Sequence, residues 1–411
     1  MATLTCDTLA ALDAADKLAA FRSRFELPDG VIYLDGNSLG PVPKETPARI
    51  AEVVAHEWGV SLIRAWTEHD WIGLPLRVGA KTGRLIGGAP DTTVVADSTS
   101  VNLFKLLAAA LEMQPGRRTI LTETGNFPTD LYMAQGLTAL LGRGHVLRVV
   151  DDPTRALGPD VAVLMLTHVN YRSGAMHDMA AVTRAAHDTG ALVLWDLSHS
   201  VGAVPLRLAE DDVDLAVGCG YKFLNGGPGA PAFLYVAPRL HAGLKSPLTG
   251  WLGHAEPFAF NSTYRPAHGV ARAVVGTPPV LSLAALEVGV DLLLKAPMVE
   301  LRAKSVLLSD LFMALVAQEC RDDGFVPLTP ADAARRGSQV SFAHPAGYAI
   351  MQALIERGVI GDFRAPDVLR FGLAPLYVRY VDVWDAVSAL RDVMRSGIWQ
   401  EERFALRRAV T

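Results

Sequence analysis

The chain predicts an α/β fold: a large domain on a mostly parallel sheet flanked by helices, followed by a smaller α+β C-terminal domain. Three observations carry this. Short β-rich runs alternate with helical ones from about residue 90 to 240, two of those runs are continuously apolar, and the pattern turns mostly helical past about 280. Alternation implies crossover connections and parallel pairing. Strands covered on both faces read as unbroken apolar runs.

In order, Leu9, Leu12, Leu18, Phe21 and Phe25 fall at roughly helical spacing, and the turn Asp35–Pro41 precedes a helix expected from Pro47 to Trp58. Strand-like runs follow at 93–95, 118–121, 146–150, 161–166, 190–195 and 213–220, with an apolar helix at 101–111 and a crossover helix from Met176 to Thr189 that stops at Gly190. One long helical region is expected from Leu281 to about Glu319, then a strand at 338–342 and helices near 349–357 and 381–395. The expected domains are an arm that is part of the small domain (1–45), a large cofactor-binding domain (46–285) and a small C-terminal domain (286–411).

With 411 residues, 50% hydrophobic and 20% charged, the chain can bury a large core. A formal net charge of -5 and the lack of dense basic runs argue against nucleic acid or an anionic membrane surface as partner. Met1–Asp7 shows no basic segment leading into an apolar core, so a cytoplasmic location is expected. Cys6, Cys219 and Cys320, odd in number and widely spaced, suit free thiols better than a disulfide framework.

The informative pair is Lys222 and Asp196. Gly190–Trp195 ends on Asp196, and Val213–Gly220 runs into a glycine-rich loop bearing Tyr221 and Lys222, so an amine and a carboxylate arrive at loop mouths where open α/β sheets collect ligands. That pairing reads as a pyridoxal 5'-phosphate site: the amine holds the aldehyde as a Schiff base, and the carboxylate keeps the pyridine nitrogen protonated. A lysine is more often a solvated charge, but after a buried strand an unpaired one is costly. Ser98, Thr99 and Ser100 meet backbone N–H groups at a helix start, which suits a phosphate or simple capping. Phe127 could stack on the pyridine or be core, and Asp130 could contact the ligand or cap a helix. His199, three residues after Asp196, could donate to phosphate.

No catalytic metal is expected. His168, His177 and His187 are scattered without an obvious carboxylate companion, and no H-E-x-x-H or paired C-x-x-C string occurs. G-x-x-x-x-G-K-[ST] and G-x-S-x-G strings are also lacking, which sets aside a phosphate-binding P-loop and a serine-hydrolase elbow.

The Lys222 loop, Gly220–Gly229, resembles the fold-type I pyridoxal phosphate enzymes, which are transferase-like in fold. Together with Tyr33–Gly40, Asn126–Asp130, Trp195–Ser200, Val359–Arg364 and Leu369–Gly372 it is similar to kynureninase, especially its bacterial form, over nearly the whole chain. The resemblance implies hydrolysis of L-kynurenine, or 3-hydroxykynurenine, to anthranilate or 3-hydroxyanthranilate and L-alanine in tryptophan catabolism, by a homodimer with active sites at the subunit interface. It implies cofactor contacts from Thr99, Ser100, Phe127, Pro128, Thr129, Asp130, Thr167, Asp196, His199 and Tyr221, with Trp251 and Thr277 reaching from the neighbouring chain. Thr277 stands where animal members carry asparagine, and Ser198 where alanine is expected.

In such a reaction Lys222 would shuttle a proton at the substrate α-carbon, with Tyr221 assisting. Arg370 is the candidate clamp for the α-carboxylate, or else a structural ion pair with Asp362 or Asp367. Asn37, Ser38, Trp66 and Trp71 are candidates for the aryl end, with core packing the other reading of both tryptophans. The rivals are an aminotransferase, a cysteine desulfurase, for which Cys320 is poorly placed, and a noncatalytic sensor on the same fold, which would be expected to lack the lysine or the aspartate.

Overall fold

The structure is a computed structural model that describes residues 3–407, so Met1 and Ala2 of the opening segment lie outside the described residues. The chain divides into two compact units. One comprises residues 45–170 and 177–294, and the other 1–44, 171–176 and 295–411.

The first unit holds a seven-stranded sheet. Its strands are β1 (Thr93–Val95), β2 (Thr119–Glu123), β3 (Val146–Val150), β4 (Val161–Thr167), β5 (Leu192–Asp196), β6 (Leu215–Gly218) and β7 (Phe233–Val236), in the spatial order β1-β7-β6-β5-β4-β2-β3. All pairings among β2 to β6 are parallel, while β7 pairs antiparallel with both β6 and β1. Every residue of β4, β5, β6 and β7 is buried, which is why these runs carry no polar alternation. The sheet is thus mostly parallel as expected, with β7 added to the strands read from the sequence.

Five helices of this unit matter below: α1 (Leu74–Leu85), α2 (Thr99–Met113), α3 (Pro128–Leu141), α4 (Met179–Asp188) and α5 (Val280–Leu294). The Ser98 hydroxyl caps α2 by accepting from the Val101 N–H at 3.3 Å, and Asp178 caps α4. Leu103, Leu106, Leu107 and Ala110 of α2 pack on Ile120, Val163, Leu194 and Leu215 in one apolar core.

The helix expected over 47–58 begins as an α-helix at Thr46–Glu52 but continues as a π-helix, Val53–Trp58. The long helical region past 280 is two helices, α5 and Met298–Glu319, because Pro297 lacks the N–H a continuous helix needs.

The second unit is α+β. Strands Asp362–Arg364, Val368–Gly372, Gln339–Ala343 and Val326–Pro327 form an antiparallel sheet in that order, and Ile32–Tyr33 pairs parallel with Val359–Ile360. A bridge between Asp35 and Gly372 brings the 35–38 turn alongside the strand that carries Arg370. Among the described residues no helix is long and apolar enough to cross a membrane.

Candidate active site

The carboxyl ends of β1, β2, β4, β5 and β6 lead respectively to Ser98, Phe127, Thr167, Asp196 and the Lys222 loop. Those connections share one edge of the sheet, where an open α/β fold binds its ligand.

Lys222 owes its position to a tight loop. The Gly226 N–H donates to the Gly220 carbonyl at 2.9 Å, the Asn225 N–H donates to the Lys222 carbonyl at 2.9 Å, and Asn225 takes a left-handed φ of 55°. Gly220 is required there, because a Cβ would collide with the Pro231 carbonyl oxygen. The half-buried Lys222 amine lies 2.9 Å from His199 Nε2 and 5.9 Å from the centre of the Tyr221 ring. Burial, and then the neighbouring Cys219 and Asp196, push the Tyr221 phenol up, so it stays protonated and can donate.

Asp196 accepts the Ser198 N–H at 2.7 Å, and burial raises its carboxyl. Asp130, on the first turn of α3, is pushed well above the ordinary range by burial and then by the charge of Asp196. Thr167 reaches both elements, donating to Asn126 Oδ1 at 2.5 Å and lying 3.5 Å from Asp130 Oδ2. Asn126 also accepts the Phe127 N–H at 2.7 Å and donates to the Thr122 hydroxyl at 2.8 Å and the Met165 carbonyl at 3.4 Å, so its amide orientation is fixed by an N–H that can only donate and a carbonyl that can only accept. Sequence reasoning missed Asn126 as the residue that aims Thr167.

These residues fit pyridoxal phosphate. Two buried carboxyls, raised by desolvation and without an ion-pair partner among the described residues, suit a ligand that brings its own N–H cation. The start of α2, where Thr99 and Ser100 expose N–H groups and hydroxyls, suits a phosphate. Phe127 stands at the N-cap of α3 with 37% of its surface exposed, followed by half-buried Pro128 and Thr129.

Trp251 and Thr277 are not joined to this cluster by any hydrogen bond or ring contact among the described residues. Trp251 is exposed and donates to the Pro257 carbonyl at 2.6 Å, with the rings of Phe258 and Phe260 at 5.6 and 6.2 Å, and Thr277 is exposed on a loop. Trp66 meets Trp71 edge-on at 6.1 Å, both half-buried, and the Trp71 Nε1–H donates to buried Glu57 at 2.6 Å.

In the other unit Arg370 is 1% exposed and makes a two-pronged pair with Asp362 through Nε (2.6 Å) and Nη2. Nη2 also donates to Ser38 at 3.1 Å and Nη1 to the Tyr171 carbonyl at 2.5 Å, so that among the described residues four of the five N–H groups are engaged and one on Nη1 is left. The ion pair with Asp362 envisaged from the sequence is therefore present, while Asp367 sits 3.6 Å from Arg172 instead. Asn37 is fully buried and donates to Gln339 at 3.3 Å, and Ser38 donates to Asp362 at 2.7 Å.

One expectation is corrected. His177 and His187 do have carboxylate companions, Glu123 at 3.1 Å and Asp214 at 2.7 Å, both supplied by strands or loops remote in sequence. Among the described residues no three potential metal ligands cluster.

The match to the kynureninase C-terminal domain model covers residues 301–390. Kynureninase from Pseudomonas fluorescens is 50% identical over 408 residues, and that from Burkholderia mallei (strain SAVP1) 51% over 408 residues, each alignment covering 98% of both chains. Among solved structures, a mutant of the cystine C–S lyase C-DES with glycine covalently linked to its pyridoxal phosphate cofactor superimposes with a TM-score of 0.77 at 18% identity, covering 90% of this chain and 99% of the other. An apo cysteine desulfurase from Thermococcus onnurineus NA1 gives 0.77 at 16% identity over 92% and 98% of the two chains. At that identity these structures establish the fold, that of the fold-type I pyridoxal phosphate enzymes.

Proposed function

The chain belongs to the kynureninase family, and from that premise we propose that it hydrolyses the Cβ–Cγ bond of L-kynurenine to anthranilate and L-alanine with pyridoxal 5'-phosphate as cofactor. 3-Hydroxykynurenine carries the same scissile bond and would give 3-hydroxyanthranilate, placing the chain in tryptophan catabolism. The observation that carries the reading is the Lys222 amine, 2.9 Å from His199 Nε2, on the sheet edge where buried Asp196 ends its strand.

Bound pyridoxal phosphate supplies an electron sink conjugated to the substrate α-carbon. Lys222 would hold the cofactor aldehyde and, when free, would move a proton at the α-carbon, a role worth about 10²–10⁴-fold. Asp196, with Asp130 beside it, would keep the ring nitrogen protonated. Thr99, Ser100, His199 and Tyr221 would hold the phosphate, and the protonated Tyr221 phenol could donate to it. Phe127 would stack on the ring, and Pro128, Thr129 and Thr167 would border it. Arg370 offers its remaining N–H to the substrate carboxylate, with Asn37 and Ser38 nearby and Trp66 a candidate for the aryl group.

A specific observation disfavours a cysteine desulfurase despite the shared fold. Cys320 is buried, and desolvation pushes its thiol up to about 12, so it is not a ready nucleophile. A homodimer, with Trp251 and Thr277 serving the neighbouring site, is supported by two exposed apolar groups: Trp251, Phe258 and Phe260, and Trp58, Val60, Leu62 and Ile63.

The deciding experiment gives L-kynurenine and 3-hydroxykynurenine to the purified chain loaded with pyridoxal phosphate. Anthranilate and alanine in equal amounts are expected. Uptake of the cofactor without cleavage, or with amino-group transfer to a keto acid, would overturn the assignment in favour of an aminotransferase.

A further inference from the structure

Lys105 lies in the second turn of α2 and is 1% exposed, a position where a methionine would avoid the desolvation of an ammonium. Its side chain points back toward the helix start, as long helical side chains do. There the ammonium pairs with the Asp97 carboxylate, donates to the Ala273 carbonyl at 2.7 Å and lies 3.4 Å from Asn102 Oδ1, so its three N–H groups have three acceptors. Burial pulls the amine below its ordinary value, against the opposing pull of Asp97.

Each acceptor fixes a different segment. Asp97 is the last residue before the Ser98 cap and holds a left-handed φ of 50°, the turn that swings the chain from β1 into α2 and presents Thr99 and Ser100. Asn102 donates in turn to the Ala96 carbonyl at 2.8 Å. Ala273 leads into the loop that carries Thr277, and Gly250, next to Trp251, is bedded so closely on Val275 that a Cβ would collide with its carbonyl oxygen. One ammonium therefore joins the helix start to the loops that carry Thr277 and Trp251.

We propose that Lys105 is a positioning residue for the cofactor phosphate, neutralising Asp97 and holding the 97–100 turn so that the start of α2 accepts a dianion. This rests on the pyridoxal phosphate reading given above. Without the ammonium, Asp97 would place an uncompensated negative charge directly before the N–H groups that have to receive the phosphate, reversing part of their attraction. Asp97→Asn acts in the opposite sense: an amide oxygen still accepts from Lys105 and tolerates the left-handed turn, while the competing negative charge is gone.

The test is equilibrium binding to the cofactor-free chain, followed by tryptophan fluorescence, with pyridoxal 5'-phosphate and with pyridoxal, which lacks the phosphate. Lys105→Met should weaken pyridoxal phosphate about 10- to 100-fold, the scale of a lost charge-assisted interaction, and leave pyridoxal unchanged. Asp97→Asn should tighten pyridoxal phosphate about threefold, again sparing pyridoxal. A purely structural pair would instead lower thermal stability in both variants and leave the affinities of the folded protein alone, which would overturn the proposal. So would equal weakening of both ligands. If Lys105→Met does not fold, Asp97→Asn decides: tightening supports the proposal, and unchanged or weaker binding overturns it. A parent chain that takes up no pyridoxal phosphate would instead sink the cofactor reading on which the inference stands.

Discussion

Asp130 and Asp196 in one unit, and Asp35 and Asp362 in the other, are pairs of largely buried carboxyls that the fold treats differently. Burial works to raise Asp362, yet the hydrogen bonds of Arg370 and the charges of Arg370 and Arg364 outweigh it and hold this carboxyl below its ordinary value. Asp196 and Asp130 have no such guanidinium among the described residues, and although the Lys222 charge pulls both down, burial leaves both raised. A carboxylate whose countercharge is built into the chain is part of the architecture. One whose burial outweighs the pull of the nearest positive charge, here Lys222, destabilises the empty protein and is explained by a further cation that arrives from outside, the protonated ring of the cofactor.

Substitutions should separate the two kinds of site. The largest effect belongs to Lys222→Ala, which should lose at least the 10²–10⁴-fold of a positioned proton carrier, together with the absorbance of the lysine-bound cofactor; a variant that keeps both would discard the site. Asp196→Ala should also lose most turnover, while the cofactor-free variant melts at the same temperature as the parent or higher, because the removed carboxyl was disfavoured by burial. Asp362→Ala should do the opposite to the fold. It strands the Arg370 guanidinium in a buried position and should cost about 3–5 kcal/mol of stability, read by denaturant unfolding, with cofactor affinity retained. If Asp196→Ala proved the more destabilising of the two, the distinction between architectural and ligand-facing carboxyls would be wrong.

The same contrast explains what the sequence revealed. Asp196 and Lys222 were legible because each ends an unbroken apolar run, and a polar group at the close of a buried strand has few bland explanations. Strand β7 was not, since four apolar residues after a glycine loop say nothing about chain direction. Lys105 was hidden for another reason: a lysine on a helix normally reaches water, and only its burial among Asp97, Asn102 and Ala273 shows otherwise. Arg370 was read as a candidate clamp, but how far its N–H groups are committed depended on Ser38 and Tyr171, brought together from segments far apart in sequence. The break at Pro297, by contrast, was printed in the sequence, and helical periodicity on both sides masked it.

The last predicted effect shows only as pH changes and concerns Asp35, the partner of Asp362 that no arginine bonds directly among the described residues. Its Oδ1 atom is buried without a hydrogen-bond partner, as is the nearby Tyr377 hydroxyl, and burial followed by the charge of Asp362 raises its carboxyl from 3.8 to about 7. Between those two values the folded chain keeps a proton that the unfolded chain has released. The stability this group contributes is therefore fully present below about pH 4 and falls as pH rises to about 7, by at most about 1.4 kcal/mol per pH unit. Asp35→Asn removes the titration and keeps a neutral polar group of the same size. The melting temperature of the variant minus that of the parent should grow from pH 4 to pH 7 and then level off. A difference that stays constant across that range would mean that Asp35 is ionised throughout, and that Arg370 and Arg364 compensate both carboxylates rather than Asp362 alone.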